Sequence, residues 1–167
     1  MIRSSKSAKR IGYFYHMSIE KDIKQPRFLT SRHKALVNIL FTYGWELEQI
    51  KKIVGVENIT HQQYNILRIL RGSYPNPVST LQIRERMLDK MSDTSRMVDR
   101  LVLKKLAIKT VSERDKRLVD VVISQEGLCL LKRIDERVDI ASEIMSNVSE
   151  AEAEQLSRLL DKVRSSD

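Results

Sequence analysis

Residues 78–123 constrain the fold of this chain most, because they combine two short helical patterns with a hairpin pattern. The first helix is predicted to begin at Ser79 or Thr80, whose side-chain oxygens can cap free N–H groups. The second is predicted to begin after Ser92 as its cap, and its apolar residues form one helical stripe (Met97, Val98, Leu101 and Val102). Only the connector 89–91 separates the two helices. Such a tight pair indicates a helix-turn-helix, whose second helix enters the DNA major groove with its first residues.

A β-hairpin with a charged tip is predicted directly after the two helices. Residues 107–111 and 118–123 are mostly β-branched or apolar, which favours strands. The tip between them carries three cations (Arg114, Lys116 and Arg117). On a protruding loop, such cations can reach a phosphate backbone or a narrow minor groove. The alternative interpretation is an ordinary solvated turn.

The order and spacing of these pieces resemble those of MarR-type winged-helix transcription regulators. The matching segments are ITHQQYNILRIL (59–70), STLQIRERM (79–87), SDTSRMVDRL (92–101), ERDKR (113–117), ISQEG (123–127) and SEAEAEQLSRLL (149–160). The resemblance implies that Asp115 forms a salt bridge with Arg117 that shapes the wing tip. One departure is clear, since the family usually places Gly before the Leu that follows the recognition helix. Here Lys105 precedes Leu106, where a left-handed C-cap is expected.

The candidate DNA contacts lie at the start of the second helix and on the wing. Arg96 is the best candidate for a bidentate contact to guanine O6 and N7, and Asp93 either accepts from cytosine N4 or serves the helix dipole. Ser92 is expected to cap, and the residues after it to face bases or phosphates. The full candidate set is Ser92, Asp93, Thr94, Ser95, Arg96, Arg100, Arg114, Lys116 and Arg117.

The predicted fold is mostly α with a small β-hairpin wing, flanked by helices at both ends of the chain. The segments are a basic extension (1–27), a long helix (28–55), the winged helix-turn-helix (56–123) and C-terminal helices (124–167). A heptad-like seam of Leu128, Leu131, Ile134, Val138, Ala141 and Met145 predicts one continuous helix after the wing. The resemblance implies a two-fold homodimer held by the terminal helices. The alternative is an intrachain bundle.

The charge distribution favours a polyanionic partner. The chain has 30 Lys and Arg against 22 Asp and Glu, a net charge of +8. Residues 80–117 carry eleven basic and six acidic side chains (+5), whereas residues 124–167 carry six and ten (−4). The basic stretches lack the bulky apolar face that a membrane-surface helix needs. The single cysteine, Cys129, is expected to be a buried small hydrophobe, and the absence of a secretory pattern predicts a cytoplasmic protein.

The sequence offers no catalytic or metal-binding constellation, so we predict a protein that is not an enzyme and has no cofactor. Its three histidines are never paired at i, i+4, and no phosphate loop is present. The resemblance implies a small aromatic or anionic effector, for which four residues are plausible lining (Tyr43, Trp45, Tyr64 and Leu67). Aromatic residues at helical spacing can equally belong to the core.

These features together predict a sequence-specific DNA-binding transcriptional regulator. We expect a ligand-responsive dimeric repressor that binds a pseudo-palindromic operator. One alternative is a constitutive architectural DNA binder that reads shape rather than sequence. Another is a dimeric protein-interaction module without DNA binding, which only Lys105 favours.

Overall fold

The structure, a computed structural model, describes residues 18–112, 116 and 119–165. The chain divides into two compact units, Met1–Trp45 and Glu46–Asp167. The elements are α1 (Ile19–Asp22), α2 (Ser31–Gly55), α3 (His61–Ser73), β1 (Val78–Ser79), α4 (Thr80–Arg86), α5 (Thr94–Leu103), β2 (Ala107–Val111), β3 (Val119–Ile123), α6 (Gln125–Arg137), α7 (Ile140–Ile144) and α8 (Glu150–Arg164). The predicted class, mostly α with a small sheet, is confirmed. The short helix α1 falls within the predicted N-terminal extension.

The small sheet has three antiparallel strands in the order β1-β3-β2. In the predicted hairpin, Ala107 pairs with Ile123 and Val111 with Val119. The sequence did not predict β1, because its two residues follow a proline-containing loop and are too few to show an alternating pattern. Val78 pairs with Val121, so β1 joins the chain just before α4 to the central strand.

The core of the second unit lies where α3, α4, α5 and α6 meet the sheet. Helix α3 contributes the most, since it buries four apolar side chains on one side. The fully buried large residues include Ile66, Leu67, Leu70, Ile83, Leu101, Ile123, Leu131 and Ile134. These contacts fix both helices of the predicted helix-turn-helix to the sheet behind them.

Three helices of this unit begin with reciprocal capping boxes. Thr60 Oγ1 accepts from the Gln63 N–H, while the Gln63 side chain accepts from the Thr60 N–H. Ser79 and Ser149 cap α4 and α8 in the same way. The sequence predicts Thr60 as a cap and Ser149 with Glu152 as a capping box, in addition to the cap at Ser79, and all three are confirmed.

The continuous helix predicted after the wing is wrong, because the chain breaks at Val138. That residue is extended (φ −158°, ψ 130°) and ends α6. The Asp139 carboxylate then accepts hydrogen bonds from the N–H groups of Ala141 and Ser142 and starts α7. The heptad-like spacing runs through this point, but a side-chain cap offers the backbone another set of hydrogen bonds.

Several smaller predictions also need correction. The sequence predicts Leu88 as an apolar contact of the first helix of the helix-turn-helix, but it is 87% exposed and Met87 is buried in its place. A helix is predicted from His61 to about Arg71 with Gly72 beyond its end, but α3 continues through Gly72 to Ser73. Cys129 is exposed and not buried.

The sequence predicts an apolar face of Leu156, Leu159, Leu160 and Val163 on the last helix, and α8 exposes three of these side chains. Leu156, Leu159 and Val163 are 43%, 54% and 69% exposed. Helix α2 likewise exposes apolar side chains in its first half, among them Leu36, Leu40 and Phe41. Among the described helices, none combines the length and the apolar character needed to cross a bilayer.

Candidate nucleic-acid interface

Helix α5 presents a polar face to solvent because its apolar face is fixed in the core. It packs against α3, α4 and β2. Val98 and Leu101 are fully buried, and Thr94 lies in the same stripe, seven residues before Leu101. On the opposite side Ser95, Arg96 and Arg100 are exposed. The first two turns of α5 therefore offer a hydroxyl and two guanidinium groups on a rigid support.

The cap of α5 is Asp93 rather than the predicted Ser92. Asp93 Oδ1 accepts from the Arg96 N–H at 3.1 Å, and its Oδ2 lies 3.5 Å from Arg96 Nε. Ser92 instead donates its hydroxyl to Asp89 Oδ2 at 2.6 Å, within the connector before the helix. The carboxylate at the positive end of α5 also suits the helix dipole. Asp93 thus holds the first turn of α5 and lies beside the Arg96 guanidinium.

Thr94 does not face solvent, which corrects its expected orientation toward bases or phosphates. Its side chain is only 5% exposed, and its Oγ1 has no hydrogen-bond partner among the described residues. The reason is helical geometry, because α5 begins at Thr94 and this position falls on the stripe of Val98 and Leu101.

The connector before α5 is organised by Asp89, whose role the sequence did not reveal. Besides the Ser92 hydroxyl, its carboxylate accepts the Met91 N–H at 3.0 Å. These two hydrogen bonds, with Ser92 the larger contribution, lower the pKa of Asp89 from its ordinary value. Asn65 of α3 accepts the Leu88 N–H at 3.1 Å and ties the same connector to the core. An Asp three residues before a Ser is a usable signal for such a turn.

A concave surface lies between the first turns of α4 and α5. This cleft has a volume of about 440 Å³ and includes two cationic side chains, Arg84 and Lys90. Its other lining residues are Thr80, Leu81, Met91, Ser92, Asp93, Thr94 and Ser95. A groove with two cations beside the start of α5 has the charge and position to receive a phosphate of a DNA backbone.

The C-terminal end of α5 adopts the left-handed conformation that usually requires glycine. Lys105 has φ 60°, its N–H bonds to Val102 O at 2.8 Å, and the Leu106 N–H bonds to Leu101 O at 2.9 Å. This pair of hydrogen bonds is a Schellman motif. Lysine in this conformation costs about 1–2 kcal/mol relative to an unstrained backbone. The junction between α5 and the wing therefore forms despite the missing glycine.

Comparison with solved structures identifies the family. A MarR transcription factor from Planctomyces limnophilus shares 30% sequence identity over 81% of this chain and 98% of that chain, with a TM-score of 0.62. The chain belongs to the MarR family. A mutant of Escherichia coli MarR in complex with operator DNA has the same fold (22% identity, 76% of this chain and 91% of that chain, TM-score 0.69). No protein-family model and no curated protein matches the sequence.

A third MarR-like structure adds a comparison on the question of regulation. BpsR from Bordetella bronchiseptica shares 17% identity over 84% of this chain and all of that chain, with a TM-score of 0.70. It is described in terms of the regulation of its DNA binding by 6-hydroxynicotinic acid. At this identity the likeness shows the fold of this MarR-family chain.

The wing of this MarR-family protein is described in part. Its strands β2 and β3 are in place, Ser112 is buried, and Lys116 is exposed at the tip. The predicted contacts Arg114 and Arg117 and the predicted wing residue Asp115 lie outside the described residues. Lys116 thus keeps the exposure that a contact with DNA requires.

The four residues proposed to line an effector pocket differ in exposure. Tyr43 and Trp45 are 58% and 41% exposed on α2. Tyr64 is half-buried, and its hydroxyl accepts from Arg68 Nη1 at 2.9 Å. Leu67 is fully buried in the core, so its expected place in an open pocket is wrong.

A separate cleft of about 450 Å³ in the MarR-family chain contains none of those four residues. Its lining comprises Gly55, Asn58, Ile59, Thr60, Gln63, Arg100, Leu103 and Lys104. Within residues 18–112, 116 and 119–165, no three His, Cys, Asp or Glu side chains are grouped as a metal site.

Proposed function

We propose that this MarR-family protein is a sequence-specific DNA-binding regulator whose helix α5 enters the major groove. The observation that carries this proposal is the exposed start of α5, where Ser95 and Arg96 project from a helix whose other face is buried. Arg96 supplies the bidentate donor geometry that suits guanine O6 and N7. Arg100, one turn later, is placed to contact a phosphate.

The surroundings of α5 support this orientation. The cleft with Arg84 and Lys90 lies on the α4 side of the α5 N-terminus, and the wing carries the exposed Lys116. Cations near a helix allow it to be held on the duplex by backbone contacts while its own side chains read bases. The excess of basic residues in 80–117 adds to the electrostatic attraction between this region and the DNA phosphates.

We propose that the regulator acts as a homodimer formed by its terminal helices. The support is the apolar stripe of α8, where Leu156, Leu159 and Val163 are exposed, and the separate set of exposed apolar side chains on α2. Burying such side chains between two copies contributes about 25 cal/mol per Å² of apolar surface. A two-fold dimer would present two α5 helices to half-sites about 34 Å apart, which predicts a pseudo-palindromic operator.

We further propose repression as the mode of action, by steric occupation of the operator in the cytoplasm. Response to a small aromatic or anionic effector is part of this proposal. Its support is the family and the BpsR comparison, together with the exposure of Tyr43 and Trp45. The interaction-module alternative rests only on Lys105, and it is disfavoured because the C-terminal cap of α5 forms with lysine at this position.

The test begins with selection of duplexes by the full-length protein from a random-sequence library. Fluorescence anisotropy then compares the selected duplex with a scrambled one for the wild type and for Arg96→Ala. We expect the wild type to prefer the selected duplex at least about 1000-fold. Arg96→Ala should lose about 1–3 kcal/mol, mostly on the selected duplex.

The control is Arg158→Ala, which removes an equally exposed arginine from α8, far along the chain from α5. It should leave both affinities unchanged. Equal affinity of the wild type for selected and scrambled duplexes would instead support the architectural alternative. Absence of DNA binding at low salt would refute the proposed function.

A further inference from the structure

The turn between α2 and α3 (residues 56–58, the α2–α3 turn) has a fixed backbone shape. The Glu57 N–H bonds to Val54 O at 3.0 Å, and the Asn58 N–H bonds to Gly55 O at 2.9 Å. Asn58 has φ 56°, a left-handed conformation that asparagine tolerates better than most residues. The carbonyl of Asn58 and the carboxylate of Glu57 are therefore presented in defined directions.

Helix α6 holds this turn from one side through two arginines. Arg133 Nη2 lies 2.8 Å from Glu57 Oε2, and Arg137 Nη1 lies 3.4 Å from Glu57 Oε1. Arg137 also donates to Ile53 O at 2.8 Å. Only 14% of the Glu57 side chain is exposed, so the two arginines replace the contacts with water that an exposed carboxylate would make. Both carboxylate oxygens are thus used to join α6 to the α2–α3 turn.

Helix α5 holds the same turn from the other side. Lys104, the C-cap of α5, donates a hydrogen bond from its ammonium group to the carbonyl oxygen of Asn58. A cation at this position also suits the negative end of the α5 dipole. Lys104 follows Asp93, the cap at the other end, by eleven residues, which corresponds to about 16 Å along the helix axis. One of the three donors of its ammonium is therefore used within the protein, at the end of α5 opposite the end proposed to read bases.

We infer that Lys104 and Glu57 are positioning residues that set the placement of α5 for DNA binding, and that Lys104 is not a phosphate contact. The inference rests on the proposed function. It assigns the exposed charge of Lys104 and the mostly buried charge of Glu57 a role that differs from that of Arg96 and Arg100. The α2–α3 turn links α6 to the C-terminal end of α5. Arg133 and Arg137 bind Glu57 on one part of the turn, and Lys104 binds the Asn58 carbonyl on the other.

The experiment measures the affinity for the selected duplex and its dependence on salt, using full-length Lys104→Ala, Lys104→Arg and Glu57→Gln. Loss of a phosphate contact reduces the slope of log K against log salt by about 1, because one counterion fewer is released. Loss of a positioning residue leaves the slope unchanged. We expect Lys104→Ala and Glu57→Gln to weaken binding of the selected duplex about three- to tenfold at an unchanged slope. Lys104→Arg should restore the affinity, because it keeps the donor.

Binding to the scrambled duplex gives a second readout. It depends on charge rather than on the placement of α5, so we expect it to change less than binding of the selected duplex. The matched controls are Lys132→Ala and Glu136→Gln, which remove an exposed i, i+4 ion pair of α6 without touching the turn. They should change neither affinity nor slope.

Two results would overturn the inference. A slope reduced by about 1 for Lys104→Ala would make Lys104 a phosphate contact. Unchanged affinity for both Lys104→Ala and Glu57→Gln would show that the turn does not position α5. Thermal unfolding of each variant separates these outcomes from misfolding. Failure of the wild type to select any duplex is a distinct result, which would refute the proposed function itself.

Discussion

Among the glycines that the structure describes, Gly127, near the start of α6, is the one whose replacement by alanine should disturb the structure most. A Cβ atom at this position would lie 2.3 Å from Leu106 O and 2.7 Å from Ile123 Cγ1. Carbon and oxygen atoms normally approach no closer than about 3.3 Å. The backbone of α6 would therefore have to withdraw by roughly 1 Å from the chain that links α5 to β2. Glycine is required here because a helix contacts a backbone carbonyl directly.

The cost of Gly127→Ala follows from what that withdrawal disrupts. Overpacking of this kind costs about 1–3 kcal/mol. Two hydrogen bonds are strained as well, from the Ser124 N–H to Leu106 O (3.1 Å) and from the Gly127 N–H to Ser124 Oγ (3.0 Å), at about 1 kcal/mol together. The higher helix propensity of alanine returns up to about 1 kcal/mol. We expect a net loss of about 1–3 kcal/mol in the free energy of unfolding.

Urea denaturation followed by circular dichroism measures this loss. Wild type and variant are compared at one protein concentration, since the stability of the proposed dimer would depend on it. The control is Gly72→Ala in α3, where the nearest atom to a new Cβ is the flexible Arg86 Nη2 at 3.7 Å. That variant should be as stable as the wild type or up to about 1 kcal/mol more stable. If Gly127→Ala matched Gly72→Ala, the close approach of α6 to Leu106 would be refuted.

Three further predictions concern the α5 junction, the connector and the proposed dimer. Lys105→Gly should raise the free energy of unfolding by about 0.5–1 kcal/mol, because the strain energy that glycine removes from the left-handed backbone exceeds the entropic cost of a more flexible unfolded chain. A lower urea midpoint would contradict this. The pKa of Asp89 is lowered by its hydrogen bonds, so its stabilisation is present above its unfolded pKa and lost as pH falls through the folded value. Between pH 5 and pH 3, about 1 unit either side of the unfolded pKa, the urea midpoint of Asp89→Asn should therefore fall less than that of the wild type. An equal fall for both proteins would exclude a stabilising role for the Asp89 carboxylate. Leu159→Glu should shift the protein toward the monomer in light scattering, whereas Ser157→Glu on the same helix should not; equal masses for the two variants would remove α8 from the interface.

The fold was predictable where local chemistry and tertiary packing agree. The helix starts after Thr60, Ser79 and Ser149 have a capping residue followed at N3 by Gln or Glu, and all three form. The two strands of the wing, β2 and β3, were predictable for the same reason. Their residues favour an extended backbone, and Ala107 and Ile123 at their ends lie in the core.

Predictions failed where two neighbouring residues offered similar local chemistry. Ser92 and Asp93 are both good caps, but Asp93 accepts the Arg96 N–H, whereas the Ser92 hydroxyl bonds to Asp89 in the connector. Met87 and Leu88 are both apolar, and only the end of α4 decides that Met87 turns inward. At the candidate site, Arg96 and Ser95 were predictable as exposed, but the burial of Thr94 required the true start of α5.

Ser124 has a mechanical consequence because its single hydroxyl serves two elements. It donates to Lys105 O at 2.7 Å and accepts from the Gly127 N–H at 3.0 Å. Because one hydroxyl joins the end of α5 to the start of α6, we expect the two helices to rotate together. The next interruption of helical structure is at Val138, so we expect bending to concentrate there. A force applied beyond α6 would then be delivered to α5 as a change of angle and not as a local loosening.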